Sequence, residues 1–385
     1  MPRLLESIAK QLFKYRGEFI ANEPEKEDEI EIKSVLENAF AWLTAPPDEG
    51  DASWAVGWVL LVLILTAIYL WACGDDRSGS GRSTKSKTIR VQALTVYPIK
   101  SCRGIKMESV PVDKRGLRHD RLFMLVDSTS GKFTSQRKYP KMATIETIID
   151  ANKGILSVTA PGMDMISFSL MQPALGKKMD VTVWGDQCVA LDMGDELAKW
   201  FCTALGLKKD WVSGWPLRFV RMFDEVKRPT DPKYAPNGET GFADGFPFLL
   251  ASAESLGDVN KRLVEGGQDP VVMANFRPNI VVEGGGAWCE DAWRGSSIYV
   301  GANRVRFNVV KPCARCTIPN LDPETGEALT GGQPSKTMKA FRTGKALEFE
   351  NPKWKGHIFF GQNLDHSEGF REGCTLSVGD EVVLS

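Results

Sequence analysis

The chain of 385 residues is 43% hydrophobic and 25% charged, which excludes a disordered polymer and leaves room for a sizeable core in about two or three domains. A formal net charge of -1 excludes the broad basic field of a nucleic-acid binder, so no nucleic-acid partner is expected. Three scattered histidines, His119, His357 and His366, argue against a metal centre built from several imidazoles.

Residues 1–53 open on LLESIAKQLFKYRGEFI, where Leu4, Leu5, Ile8, Leu12 and Phe13 recur at the spacing of an amphipathic helix. Glu6, Lys10, Lys14, Arg16 and Glu18 interrupt any apolar core, so a cleavable secretory signal is not expected. NEPEKEDEIEIK then reads as a solvated acidic run. Residues 54–73, WAVGWVLLVLILTAIYLWAC, are 20 positions without a charge, matching the about 20 residues that a helix needs to cross a bilayer. Trp54, Trp58, Tyr69 and Trp71 stand towards its ends, where amphipathic rings favour the headgroup layer. The expectation is a transmembrane helix. Asp48, Glu49 and Asp51 precede it, while Arg77, Arg82, Lys85 and Lys87 follow, so the catalytic part is expected on the cytosolic side. The Gly/Ser-rich stretch 74–88 reads as a flexible tether.

From 89 to 214 short runs rich in β-branched and aromatic residues alternate with turn residues, as in IRVQALTVYPIKS and RLFMLVDSTSGKFTSQ. DELAKWFCTALGL, 195–207, has a helical period that stops near Gly206. A second section, 215–385, starts with the helical pattern ASAESLGDVNKRLVEGG, with Ser252 as N-cap and Glu254 in the first turn. Strands follow in FRPNIVVEG, SSIYVGANRVRFNVV and TLSVGDEVVLS. Many strands and few helices predict an α+β fold, a β-barrel core with α/β additions.

The eight cysteines show no regular framework, and a chain this long needs no disulfide staples, so the thiols read as reduced. One pair stands out, Cys313 and Cys316 in KPCARCTIPNLDPETGE, 311–327. A zinc reading needs another ligand pair, and no second C-x-x-C or suitably spaced histidine pair exists. A redox dithiol wants a helix N-terminus, whereas this pair follows the strand pattern VRFNVV and precedes Pro319. A purely structural turn does not explain the arginine held between the thiols. The remaining reading makes one thiolate the ligand of a soft, redox-active metal carried by an anionic cofactor.

VYPIKSCRGI, GLRHDRLFMLVD, FADGFPFLLAS, NFRPNIVVEG, CEDAW and KPCARCTIPNLDPETGE, in that order, resemble the MOSC-domain proteins, above all the mitochondrial amidoxime-reducing components and their bacterial relatives. The resemblance covers about residues 88–385. No pyridoxal-phosphate desulfurase section precedes it, so a complete molybdenum-cofactor sulfurase is not expected.

The resemblance implies a molybdenum cofactor, Mo-molybdopterin, with Cys316 as the protein ligand of the metal and Cys313 in support. It implies cofactor contacts from Lys100 and Ser101, from Arg121, from Arg277 and Asn279, and from Ala314 and Arg315. Forked, permanently charged guanidinium groups suit phosphate and pterin. Arg137, in TSQRKYP, is a further candidate. Gly245 and Phe246 replace a Thr-Ser pair of animal members, so contacts there would come from backbone N–H groups, and Ala314 replaces a serine. The activity implied is reduction of N-hydroxylated compounds such as amidoximes and hydroxylamines, with nitrite reduction as a neighbour. Electrons would arrive from cytochrome b5 and its NADH-dependent reductase, since the cysteines lack iron–sulfur spacing. The mitochondrial outer membrane is favoured over the endoplasmic reticulum. The alternative is a non-catalytic carrier of molybdenum cofactor or sulfur.

Overall fold

A computed structural model describes residues 88–171 and 176–385. The amphipathic segment, the expected transmembrane helix and nearly all of the tether therefore lie outside the described residues. Among the described residues no helix is long and apolar enough to cross a membrane.

The chain starts with β1 (Arg90–Val96), β2 (Ile105–Met107), β3 (Ser109–Asp113), β4 (Gly116–Leu117) and β5 (Phe123–Asp127). Next come β6 (Glu146–Asp150), β7 (Ile155–Thr159), β8 (Ile166–Ser169), β9 (Lys177–Val183), β10 (Asp186–Asp192), α1 (Asp195–Ala204) and β11 (Leu217–Met222). β5, β11, β10 and β9 form a four-stranded antiparallel sheet, and β6, β7 and β8 a three-stranded one. β5 reads FMLV without alternation because both of its faces are covered. Phe123 and Leu125 pack with Phe219, Phe201 and Trp200 of one core, while Met124 and Val126 pack with Val181, Val220 and Phe242 of another.

The second half adds β12 (Phe248–Ser252), α2 (Ala253–Glu265), β13 (Ile280–Glu283), α3 (Cys289–Ala292), β14 (Ser297–Val300) and β15 (Val305–Arg315). α4 (Ser335–Met338), β16 (Ile358–Asp365), β17 (Thr375–Ser377) and β18 (Val382–Leu384) complete it. An eight-stranded sheet runs β18-β14-β15-β16-β12-β13-β1-β2. Its parallel pair, β12 and β13, is joined through α2, as a parallel connection requires. The Ser252 hydroxyl caps α2 by accepting from Ser255 N at 3.4 Å, with Glu254 in the first turn.

One core gathers side chains from β1, β3, β4 and β12 to β18, among them Val91, Val110, Leu250, Ile298, Phe307 and Leu376. The sheet wraps this core as a barrel would, but its ladder does not close. β2 and β18 are three residues each and do not pair. The gap is spanned by an isolated antiparallel bridge, Arg90 with Glu381, and three backbone bonds, Val91 N to Asp380 O, Gly379 N to Val91 O and Val382 N to Ile89 O, each 2.8 Å, beside the ribbon β17-β3-β4. The expected closed barrel is thus corrected to an open, barrel-like sheet, because its edge strands are too short to carry a closing ladder.

The sheets interleave across position 215: β1 and β2 enter the large sheet of the second half, and β11 completes a sheet of the first. The site is built at this interleaving.

Candidate functional site

One cleft is lined from several segments, among them Lys100 and Ser101 after β1, Arg121 before β5, Ala243 to Phe246 before β12, Phe276, Arg277 and Asn279 before β13, and Cys313, Arg315, Cys316 and Ile318 at the end of β15. Of the eight non-glycine residues with positive φ among the described residues, Ser101 (68°), Arg121 (45°), Trp184 (56°) and Arg277 (56°) all line it. Such backbone is unfavourable for these residue types and concentrates where side chains must be aimed.

Beneath the cleft a buried network fixes the arginines. Asp120, with its side chain 1% exposed, accepts from Tyr97 N (2.8 Å), Asn279 Nδ2 (3.0 Å) and Arg121 Nη1 (2.6 Å). Asn279 Oδ1 accepts from Arg121 Nη1 (2.9 Å) and Leu249 N (3.2 Å), while Nδ2 also donates to Thr95 O at 3.2 Å. Arg121 and Arg277 each lie 4.2 Å from the centre of the Tyr97 ring. Burial pushes the Asp120 carboxyl above its ordinary value, with Arg121 working against it. Burial likewise raises the Tyr97 phenol, against the pull of Arg277 and Arg121.

The cations of the cleft are not equivalent. Lys100 Nζ is committed to Asp244 at 2.5 Å and donates to Phe242 O at 2.8 Å. Burial pushes this ammonium below its ordinary value and Asp244 works the other way. Crowding by the cleft walls pushes Asp244 up, but the Lys100 charge and hydrogen bond, with Trp184 and Arg121, hold the carboxyl well below the usual range. Arg121 is bound by Asp120, Asn279 and the Arg277 carbonyl (3.2 Å). Among the described residues Arg277 has no ion pair and no side-chain hydrogen bond; its contact is the Tyr97 ring. Burial pulls it below its ordinary value, yet a guanidinium stays charged at neutral pH. It is a cation aimed into the cleft with its donors unspent.

β15 bulges between Val309 and Lys311 and again between Pro312 and Ala314, where a proline without an N–H interrupts the ladder. The bulges turn Cys313 into the cleft. Arg315 follows it back, donating from Nη1 to Cys313 Sγ (3.0 Å) and from Nη2 to Phe276 O (2.7 Å), with Nε buried and without a partner. Cys316 Sγ accepts only from Ile318 N, at 3.5 Å, just before the short 3-10 turn Ile318–Asn320. Among the described residues no group of three or more His, Cys, Asp or Glu could hold a metal by itself, so the two thiols do not find the further protein ligands of a zinc centre there.

Lys100, Ser101, Arg121, Gly245, Phe246, Arg277, Asn279, Arg315 and Cys316 therefore meet in one cleft. Ala314 does not join them: it is exposed, pointed away by the alternation of β15. Asn279 has both donors and both acceptor positions taken by protein, so it holds Arg121 rather than offering a free atom. Arg137 lies on the rim, its guanidinium 4.5 Å from the Trp184 ring. Trp184, Asp244, Asp120 and Tyr97 were missed by the sequence reading. The last three sit inside the quoted motifs FADGFPF, HDRLF and VYPIK, so the carboxylates beside the motif cations were the available signal.

A sequence model of the MOSC N-terminal beta barrel domain matches residues 88–208, and one of the MOSC domain matches residues 237–383. The chain belongs to the MOSC-domain family. Its curated relatives include mitochondrial amidoxime reducing component 2 of Homo sapiens, 32% identical over 259 residues that cover 66% of this chain and 72% of that protein. Mitochondrial amidoxime-reducing component 1 of Xenopus laevis is 28% identical over 326 residues, covering 83% of this chain and 88% of the relative. Molybdenum cofactor sulfurase of Oryza sativa subsp. japonica is 30% identical over 314 residues, and the chain spans only 36% of that longer protein.

Proposed function

We propose that this protein is a molybdenum-cofactor-dependent oxidoreductase that removes oxygen from N-hydroxylated compounds such as amidoximes and hydroxylamines. The observation that carries the reading is a thiol, Cys316, sharing a cleft with two guanidinium groups that no carboxylate neutralises, Arg277 and Arg315. The donor set fits a sulfur-rich, anionic cofactor. Cys316 Sγ is free to ligate a soft metal, and among the described residues the Ser101 hydroxyl makes no protein hydrogen bond and buried Arg315 Nε has no partner. When bound, that cofactor would supply the two-electron oxygen-transfer chemistry. The chain's own residues would bind and orient it: Arg277 and Arg315 as charges, Ser101 as hydroxyl, and Gly245, Phe246 and the Asp244-paired Lys100 as walls.

Reducing N–OH to N–H releases water and consumes a pair of electrons and a pair of protons. Cytochrome b5 with its NADH-dependent reductase is the proposed electron source, and nitrite is a second candidate substrate. The relatives' mitochondrial names and the uncharged stretch 54–73 support a place at the mitochondrial outer membrane, facing the cytosol.

A second reading, a non-catalytic carrier of molybdenum cofactor or sulfur, is favoured by the 30% identity to the rice sulfurase. The test is metal and pterin analysis of full-length protein from a cofactor-replete host, followed by anaerobic turnover of benzamidoxime with the reconstituted donor chain. Molybdenum with turnover supports the reductase. Molybdenum without turnover supports the cofactor carrier, and its absence from loaded protein sinks the reductase.

A further inference from the structure

The loop between α1 and β11 ends in a tight turn that carries Trp211 and Val212 at its tip, 102% and 98% exposed. Trp211 makes no ring contact and no side-chain hydrogen bond among the described residues. Large apolar side chains are rarely left so bare, and tryptophan least of all.

The turn itself is built. Asp210 and Gly214 exchange backbone hydrogen bonds of 2.8 and 3.1 Å, and Asp210 Oδ1 accepts from Val212 N (2.9 Å), Ser213 N (2.8 Å) and Ser213 Oγ (2.9 Å). Gly214 takes φ 81°, the left-handed conformation that such a return favours. The apolar pair is therefore presented by a fixed scaffold.

Its surroundings are basic. Lys208 and Lys209 lead into the turn, exposed and without an ion pair among the described residues, and exposed Lys177 lines one hollow together with Lys209, Ser213 and Gly214. Asp192 and Asp195 line the same hollow and share the one guanidinium of Arg218, at 2.8 and 2.6 Å, and Asp210 accepts hydrogen bonds within its own turn. Against these three carboxylates stand Lys177, Lys208, Lys209 and Arg218, so one basic charge is in excess at the turn.

We infer that this turn is a membrane-contacting tip: Trp211 and Val212 reach the boundary of headgroups and acyl chains of an anionic lipid surface while Lys177, Lys208 and Lys209 lie against its phosphates. Tryptophan favours that boundary, and lysines there are drawn by anionic lipid. A protein partner fits less well. A convex tip of two apolar residues is far smaller than the about 800 Å² per partner of a stable interface, whereas a bilayer accepts an isolated wedge.

The test uses the full chain with vesicles whose lipids carry brominated acyl chains, which quench tryptophan that enters them. The share of Trp211 is the difference between the wild type and Trp211→Leu. On phosphatidylserine-containing vesicles the wild type should be quenched more than Trp211→Leu, and the difference should vanish at high salt or on phosphatidylcholine alone. Lys208→Ser with Lys209→Ser should demand roughly thirtyfold more anionic lipid for the same difference, about fivefold per lysine. Circular dichroism checks that each variant is folded. Because the readout is local to Trp211, vesicle binding through any other segment does not produce it. Equal quenching of wild type and Trp211→Leu overturns the inference, as does a difference that ignores lipid charge. A lipid-free, concentration-dependent blue shift of Trp211 would overturn it in favour of a second copy of the chain.

Discussion

The replacement Asn279→Leu tests whether the network beneath the cleft is what aims its cations. The two side chains are similar in volume, so little cavity forms, but four hydrogen bonds disappear: to Arg121 Nη1, Leu249 N, Thr95 O and Asp120 Oδ1. The two neutral bonds are each worth about 1 kcal/mol and the two to charged groups about 1.5 kcal/mol each, the low end because Asp120 and Arg121 keep one another. Asn279 is only 2% exposed, so the orphaned groups cannot turn to water, while leucine's extra apolar surface returns about 1.5 kcal/mol. The net loss expected is about 3.5 kcal/mol, which urea unfolding should report as a midpoint lower by about 1 M at unchanged slope. A loss below about 1 kcal/mol at unchanged slope would refute the reasoning, since the four bonds would then be worth no more than one ordinary bond.

Three further outcomes follow from the same geometry. Cys316→Ser should abolish molybdenum retention in loaded protein, measured by elemental analysis. Cys313→Ser should leave it largely intact, because serine still accepts from Arg315, whose Nη1 lies 3.0 Å from Cys313 Sγ; equal losses would favour a shared dithiol. The Asp244 carboxyl is held below its ordinary value, so its contribution to stability is present above the unfolded value of about 3.9 and is lost as pH falls through the folded one. Asp244→Asn should therefore flatten the acid limb of a Tm-against-pH curve, by a small amount because the side chain is 66% exposed; an unchanged limb would refute this. Phe219→Ala removes a fully buried ring stacked 4.3 Å from Phe201 and 5.3 Å from Phe123, and should cost about 3–5 kcal/mol in urea unfolding.

Much of the architecture was legible where local chemistry decides it. The helix expected over 195–207 is α1, Asp195–Ala204, and the one capped at Ser252 is α2. Both rest on periodicity, and α2 also on a cap, which act within a few residues. The barrel was overstated because closure depends on whether distant edge strands are long enough to pair, which no local pattern encodes. Likewise Ala314 sat in the right motif but on the wrong side of β15, since the bulges around Pro312 decide which side chains face the cleft. Asp244 and Trp184 escaped notice because an aspartate in a turn and a tryptophan in a hairpin look ordinary until the fold sets Trp184 Nε1 3.1 Å from Asp244 Oδ1.

The structure also turns the Cys-x-x-Cys motif into two unlike sulfurs. Cys313 already serves as acceptor for the Arg315 guanidinium, which is the strut from β15 to the Phe276 carbonyl before β13, so that thiol steadies the arginine. Cys316 has one weak N–H contact and otherwise faces open cleft. The same division runs through the cations. Lys100 and Arg121 are paired with carboxylates, so their charge is largely spent within the protein, whereas Arg277 and Arg315 face none. An incoming anion would gain most from the second pair, because there it neutralises a charge without first displacing a carboxylate. The unspent thiol and the two guanidiniums that face no carboxylate are arranged as one ligand of mixed character would need, soft at one end and anionic at the other.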